Sequence, residues 1–490
     1  MANLHVDGAT MWLTDRMTLN PTTLSKFWRA LEEDQTDIRP DAVVTLPEGV
    51  HWLGDELLGS CVYWETMHDK KKNLPHVVIL GNAGIGKMFF GLFLLLHLAR
   101  AGKTVVYQDR DKCILFSRTM VIRGSEQAFV EILGKTTTYY IVDGAKPPYC
   151  AAKTILLARP QLANWYQFAE TNCTIHSHEE ILTCRALVYP QLPLIDVSSC
   201  LHRWGGIPRY VLHYARVHCQ QRWLEKAINR VDWNWMVTAA RNLDYDEYEV
   251  WYPLFHCRVN KSFEGAGFGF ASLYVQRKIY AQLYKQNKAR LLERFASPIT
   301  HFGWGGVHWD QLLEEHLLTL LARVGNFRAR RLVDDNEEYD DDETFAEADW
   351  DDEGNKREHT AEEQEVEESV QLEIQNQLTF STREEVSTAE ANTFLRPATK
   401  YVADAIVKPR LLFYVPGVHK TPLKQSHLHD LLELLGNPDQ PRLYFVLPPS
   451  QFHDFRYQRY IDGNDKRIAI SSYQNVRKLQ QFALKVELTS

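Results

Sequence analysis

His76-Val77-Val78-Ile79-Leu80-Gly81-Asn82-Ala83-Gly84-Ile85-Gly86-Lys87-Met88-Phe89-Phe90 is the stretch from which the fold can be read. A short apolar run makes a buried strand, glycines break it, and an apolar helical stretch follows directly. The spacing Gly81-x4-Gly86-Lys87 suits a phosphate-cradling loop. Glycine-permitted turns aim successive backbone N–H groups at an anion, and Lys87 reaches the β/γ-phosphates from the start of the next helix. The spacing alone is weak evidence. The strand before it and the helix after it make nucleotide binding the expectation, over an ordinary structural turn, with Gly81, Asn82, Ala83, Gly84, Ile85, Gly86, Lys87 and Met88 as the contacts. The residue after the lysine, which ordinarily offers Mg²⁺ a hydroxyl, is Met88, and a thioether is a poor ligand for a hard cation. Binding and efficient hydrolysis are therefore separate expectations.

Working outward, the chain alternates as an open α/β sheet does. A helix is expected over Pro21–Glu33, a second over Asp55–Met67, and one from the loop to Arg100. Strands are expected at 104–108, 137–143 and 154–157, with a hairpin pair at 114–116 and 120–122 and a short helix at 128–133. Asp143 closes its strand about 60 residues after the loop, where a carboxylate can hold Mg²⁺ through water. The bland alternative is an Asp-Gly turn. Gly144 stands where a glutamate base would activate water, and Ala158 offers no polar group at the fourth strand end. Both argue for slow turnover. Gly205-Gly206-Ile207-Pro208-Arg209 suits a short helical lid that returns Arg209 to the nucleotide, and a long helix is expected over 211–227.

With 490 residues the chain has room for about two to four domains. The net charge of −8 conceals a segregation. Residues 334–368 hold 19 Asp/Glu against Lys356 and Arg357, a local −17 that leaves +9 for the remainder. A basic body is compatible with a nucleic-acid partner, and the acidic segment, too polar to bury a core, is expected to be disordered. Eight cysteines without a CxxC pair read as reduced thiols. Cys173, His176, His178 and Cys184 match no tight zinc pattern. Met1–Asp7 has neither a basic nor an apolar signal region, so no signal peptide, an intracellular site and no membrane span are expected. Asp310–Val324 reads as an amphipathic helix, Gln425–Leu435 as another and Arg442–Leu447 as a core strand, which makes a second α/β domain. Arg323, Arg328, Arg330 and Arg331 form a basic cluster that suits either nucleic-acid contact or a solvated face.

Several motifs occur together and in order. They are Leu80–Lys87, Val142-Asp143-Gly144, Gly205-Gly206-Ile207-Pro208-Arg209-Tyr210-Val211-Leu212, Phe270–Val275, Tyr444-Phe445-Val446-Leu447-Pro448-Pro449 and the ending 476–488. In these the chain resembles the Crinkler effector-like family and the related retrotransposon hot spot proteins over about residues 45–490. The resemblance implies a P-loop NTPase module of the AAA/STAND type, with a parallel sheet and helical lid, followed by a restriction-endonuclease-like domain. It implies ATP or GTP with Mg²⁺ as cofactors, DNA or a nuclear protein as partner, and action in a nucleus or cytoplasm, with secretion into a host cell for true effectors. The leucine-phenylalanine-leucine-alanine-lysine secretion motif is not in residues 1–70. Expected divisions are a lead-in over 1–70, the P-loop module over 71–215, a lid-like connector over 216–295 and the nuclease-like domain over 296–490. In that last domain the resemblance places catalytic carboxylates at Asp310 and Asp404. Tyr414 and Pro416 stand where a metal ligand and a water-orienting group belong, so a degenerate nuclease is expected. An active ATP-dependent endonuclease and a non-catalytic interaction or decoy protein are the alternatives.

Overall fold

The computed structural model describes residues 3–37, 43–55, 61–63, 76–110, 112–158, 169–172, 177–241, 253–259, 265–297, 307–323, 325–333, 367–399, 401–417, 422–464, 466–468 and 470–488. The chain forms two compact units, Met1–Gln282 with His301–His308 and Leu283–Thr300 with Trp309–Ser490. Each is α/β and each carries a mixed eight-stranded sheet.

In the first unit the strand order is Ala169–Asn172, His76–Leu80, Lys153–Ala158, Tyr139–Asp143, Val105–Asp109, Lys112–Phe116, Val121–Gly124, Thr18–Leu19. The first five run parallel, and the last three add antiparallel pairs. Strands covered on both faces read as near-continuous apolar runs, which is why they stand out in the sequence. Alternate residues face opposite ways. Ile79, Tyr107, Ile141 and Leu157 meet the helix Lys87–Arg100 and the helix Thr22–Glu33. Val78, Val106, Tyr140, Val142 and Leu156 meet Phe129, Ile132 and Leu133 on the other face. Trp28 of the N-terminal helix stacks on Phe116, ring centroids 4.8 Å apart. Each fully buried side chain of this size contributes about 1.5–3 kcal/mol of transfer free energy.

Two expected helices differ. Of the span 55–67, Cys61–Tyr63 is a strand paired with Val43–Thr45; its β-branched and aromatic residues suit a pleated surface, and most of the remaining span lies outside the described residues. The single helix over 211–227 is instead a π-helical turn, Arg209–His213, and a separate helix, His218–Asn229. The break has a cause. The Gln221 amide donates to the carbonyls of Tyr210 and Tyr214, 3.0 Å each, while its own carbonyl accepts from the Trp204 indole at 2.8 Å.

The second unit orders its strands Glu367–Leu372, Gly325–Arg331, Gln480–Lys485, Arg442–Leu447, Leu411–Tyr414, Ala405–Val407, Thr393–Pro397, Asn376–Phe380. Three neighbouring pairs are parallel and the rest antiparallel. Leu428, Leu431 and Leu432 of the helix Gln425–Leu434 pack on Leu412, Leu443 and Phe445. The acidic stretch lies outside the described residues except Glu367 and Glu368, which open the first of these strands. No helix among the described residues is long and apolar enough to cross a membrane.

The helix Lys87–Arg100 is apolar all round in its first turns, so its orientation was set by packing. Leu92 is fully buried, whereas Phe89 is 38% exposed. Leu92→Ala is expected to cost about 2–5 kcal/mol in urea unfolding and Phe89→Ala under about 1 kcal/mol. Equal costs at the two positions would contradict this helix register.

Candidate nucleotide-binding site

The loop begins where the strand His76–Leu80 runs out at the carboxyl edge of the parallel strands. The Gly81 N–H still donates to the Ala158 carbonyl at 3.2 Å, so the ladder continues one residue beyond the strand. Gly84 and Gly86 then adopt φ of +84° and +106°, in the left-handed region that only glycine enters without strain. Asn82, Ala83 and Ile85 are buried. Gly86 caps the helix Lys87–Arg100 with no side-chain hydrogen bond, and no acidic residue lies in the first turn. The helix start therefore presents backbone N–H groups and the positive end of its dipole without an internal anion. The Lys87 ammonium donates to the Gly81 and Asn82 carbonyls at 2.6 and 2.9 Å. These oxygens offset the cost of holding a cation at a helix N-terminus. Met88 follows, half-buried in the first helical turn.

Two further elements meet this loop or its edge. Gly205, at φ +66°, passes so close to Ala271 that an added Cβ would lie 2.3 Å from the Ala271 carbonyl oxygen. The turn it allows brings the start of the π-helical segment to the loop. The Arg209 N–H donates to the Gly84 carbonyl at 3.4 Å. A Cβ on Gly84 would sit 2.8 Å from Arg209 Cβ and 3.1 Å from Ile207 Cγ2. Arg209 itself is exposed, so its guanidinium is solvated beside the loop. Asp143 stands on the same sheet edge. Its register partner is Leu157, whose partner is Ile79, one residue below the loop strand's end. Two strand spacings of about 4.8 Å put the Asp143 backbone about 10 Å from that strand. Asp109 is level with Asp143 on the next strand, and both carboxylates, after burial, help push the Tyr107 phenol well above its usual range. Gly144 is an exposed turn glycine at φ +70°, with its N–H donating to the Leu157 carbonyl.

In the second unit the expected carboxylates have other neighbours. Burial pushes Asp310, on the helix Val307–Leu321, up to about 6, against the opposing charge of Arg294. The Asp404 carboxylate accepts the Val415 N–H at 2.8 Å. A residue the sequence reading passed over, Glu315, is buried among the leucines of the same helix. It takes a bidentate pair of hydrogen bonds from Arg396 at 2.8 and 2.7 Å. Burial works against the Arg396 charge, but Glu315, Glu314 and Asp404 outweigh it and hold the guanidinium proton more firmly than usual. An arginine is thus the cation among these carboxylates. The signal in the sequence was an acid on the leucine face, but its partner lies 81 residues away.

Among the described residues, one group of three side chains is close enough to share a metal ion: His429, Asp430 and Glu433, half-buried to exposed on one helix. It includes none of Asp143, Asp310 and Asp404. Cys173 and His176 lie outside the described residues.

The chain matches no protein-family model and no curated protein.

Two outcomes follow from this geometry. Gly84→Ala combines a left-handed φ with the Arg209 contact, so about 2 kcal/mol or more of stability should be lost; a neutral variant would show that the contact is not rigid. Asp310 binds its proton more tightly folded than unfolded. Its contribution is full below about pH 4 and is lost as the pH rises through about 6. Asp310→Asn should therefore match the natural chain near pH 4 and become the more stable of the two between pH 4 and 7. A stability difference that does not change with pH would contradict the burial of this carboxyl.

Proposed function

We propose that the first unit is a P-loop nucleotide-binding module that takes ATP or GTP and turns it over slowly. The observation that carries the reading is the glycine loop Gly81–Gly86 between a buried strand and an uncapped helix, with Lys87 in its mouth. Asp143 supports it from the same sheet edge, and ligands of open α/β sheets bind outside the carboxyl ends of the strands. In this reading the loop N–H groups and Lys87 bind the phosphates, and Arg209 adds positive charge from the helical segment. Asp143 would be the residue that holds Mg²⁺, whose charge would offset that of the phosphates.

Slow turnover follows from what the site offers. Met88 withdraws one hard ligand from the metal, and Gly144 supplies no base. Metal clamps contribute several kcal/mol at the transition state, so a lost ligand slows the reaction by about 10²-fold or more. The nucleotide then acts as a conformational ligand more than as a fuel. The second unit, in the reading that the Crinkler-like resemblance suggests, is a degenerate nuclease-like domain that binds nucleic acid or a nuclear partner. The Arg396 guanidinium favours this over an active endonuclease, because a cation fixed by Glu315 and acting on the Asp404 carboxylate opposes a metal ion there.

Lys87→Ala should abolish nucleotide binding in a calorimetric titration while leaving the unfolding transition in place, since Lys87 stands at the loop's end and is not part of the apolar core. Unchanged affinity would remove the assignment. Met88→Thr should raise hydrolysis only modestly, and the natural chain should stay well below about 1 s⁻¹; faster turnover would refute the role given to Met88.

A further inference from the structure

The helix Gln425–Leu434 turns Leu428, Leu431 and Leu432 into the core of the second unit, which leaves His429, Asp430 and Glu433 on the opposite, accessible arc. His429 and Glu433 are four residues apart, Asp430 and Glu433 three, the two spacings at which side chains of one helix meet. One ligand atom from each of the three lies within 4.8 Å of the other two.

The imidazole is held from outside this group. Its ring stacks on Tyr473, with centroids 4.2 Å and planes 16° apart, and its Nδ1 lies 2.9 Å from Asn475 Oδ1. Asn475 stands on the short helix Gln474–Arg477, anchored by the buried Val476. Its Nδ2 donates to the backbone carbonyl of His429 at 3.4 Å and to Asn437 Oδ1 at 2.9 Å. A backbone carbonyl only accepts, so this bond settles which end of the Asn475 amide faces the ring. Oδ1 accepts there, Nδ1 carries the proton, and the neutral ring keeps a lone pair on Nε2. That is the arrangement of a metal-binding histidine, whose second nitrogen donates to a fixed oxygen and so sets the tautomer and the ring plane.

The separation on the Nε2 side has a meaning of its own. Nε2 lies 3.6 Å from Glu433 Oε1. This is longer than an N–H···O hydrogen bond, which spans about 2.7–3.2 Å. Two ligands bound to one tetrahedral ion at about 2.0–2.2 Å stand about 3.4 Å from each other. The pair is thus spaced as two ligands of one ion are. Asp430 is exposed, and a turn of its side chain brings its oxygen to the same point. A nitrogen lone pair and two carboxylates converging without a cation repel one another, and a divalent ion removes that repulsion.

We propose that His429 Nε2, Asp430 and Glu433 bind a divalent ion of the zinc class, with water in the fourth position and Asn475 as the positioning residue. One imidazole with two carboxylates suits zinc, whereas Mg²⁺ calls for oxygen ligands alone. All three ligands come from one turn of helix, so the fold does not need the ion. Asn475 belongs to the segment leading into the strand Gln480–Lys485, and through it the ion steadies the packing of that segment on the helix. The site is independent of the nucleotide loop and of the nucleic-acid reading of the second unit.

The full chain, stripped with a chelator, is titrated with Zn²⁺ against a chromogenic competitor and with Co²⁺ by visible absorption, beside His429→Ala, Glu433→Gln, Asn475→Ala and Asn475→Asp. A thermal transition matching that of the stripped natural chain checks each fold. The proposal expects one equivalent that His429→Ala and Glu433→Gln lose. Asn475→Ala should hold it about 10–100-fold more weakly, and Asn475→Asp, which keeps an acceptor for Nδ1, should recover most of the loss. The Co²⁺ bands of this equivalent should lack thiolate charge transfer, which separates it from any ion held by cysteines. Zinc binding with unchanged stoichiometry and affinity in both His429→Ala and Glu433→Gln overturns the site, as does an absence of binding at micromolar free Zn²⁺. Displacement of the ion by millimolar Mg²⁺ overturns the metal class, and an affinity indifferent to Asn475→Ala overturns the positioning role.

Discussion

A parallel sheet has to turn its chain at the carboxyl end of every strand, and at Leu80 this chain does so within six residues, Gly81–Gly86. Two of them lie in the left-handed region, and one, Gly84, has the backbone and Cβ of Arg209 against it. No side chain fits at Gly84 on either ground. The compact turn leaves the next helix with an uncapped N-terminus pointing out of the sheet, and the buried strand and the leucine-lined helix hold it there. The loop conformation, the approach of the helical segment and the position of the helix N-terminus all depend on this one tight connection.

The legible parts of the sequence were those whose cause is local. His76–Leu80, Tyr139–Asp143 and Lys153–Ala158 are apolar runs bounded by turn residues, and the structure has each as a parallel strand. The glycines around Lys87 announced a turn into a helix. The antiparallel continuation was legible as the hairpin pair expected at 114–116 and 120–122, which the structure has as Lys112–Phe116 and Val121–Gly124, so that the sheet as a whole is mixed and not parallel. Where tertiary contacts decide, the sequence misled. Residues 211–227 have helical spacing throughout, but the Gln221 amide, itself anchored by Trp204, takes the carbonyls that a continuous helix would use. Cys61–Tyr63 was read into a helix because its strand partner, Val43–Thr45, lies at a distance in sequence.

The candidate sites divide in the same way. The loop contacts and the strand-end acid were visible because both are defined by spacing within about 60 residues. The pairing of Glu315 with Arg396 was not, since neither residue carries a local signal and only the fold brings them together. Nor was the fate of the basic cluster. Arg323, Arg328, Arg330 and Arg331 look alike in sequence, yet strand pleating and burial send Arg330 inward to three carbonyls, while Arg323, past the end of a helix, is exposed.

The central claim is that backbone N–H groups and Lys87 hold a nucleotide's phosphates with little help from a metal, because Met88 supplies no hydroxyl. Calorimetric titration of the natural chain with ATP, once in Mg²⁺ and once in EDTA, tests this most directly. The account predicts binding in both, with affinities within about threefold, less than about 0.7 kcal/mol apart. Binding that needs Mg²⁺ by a hundredfold, or no binding in either condition, would contradict it.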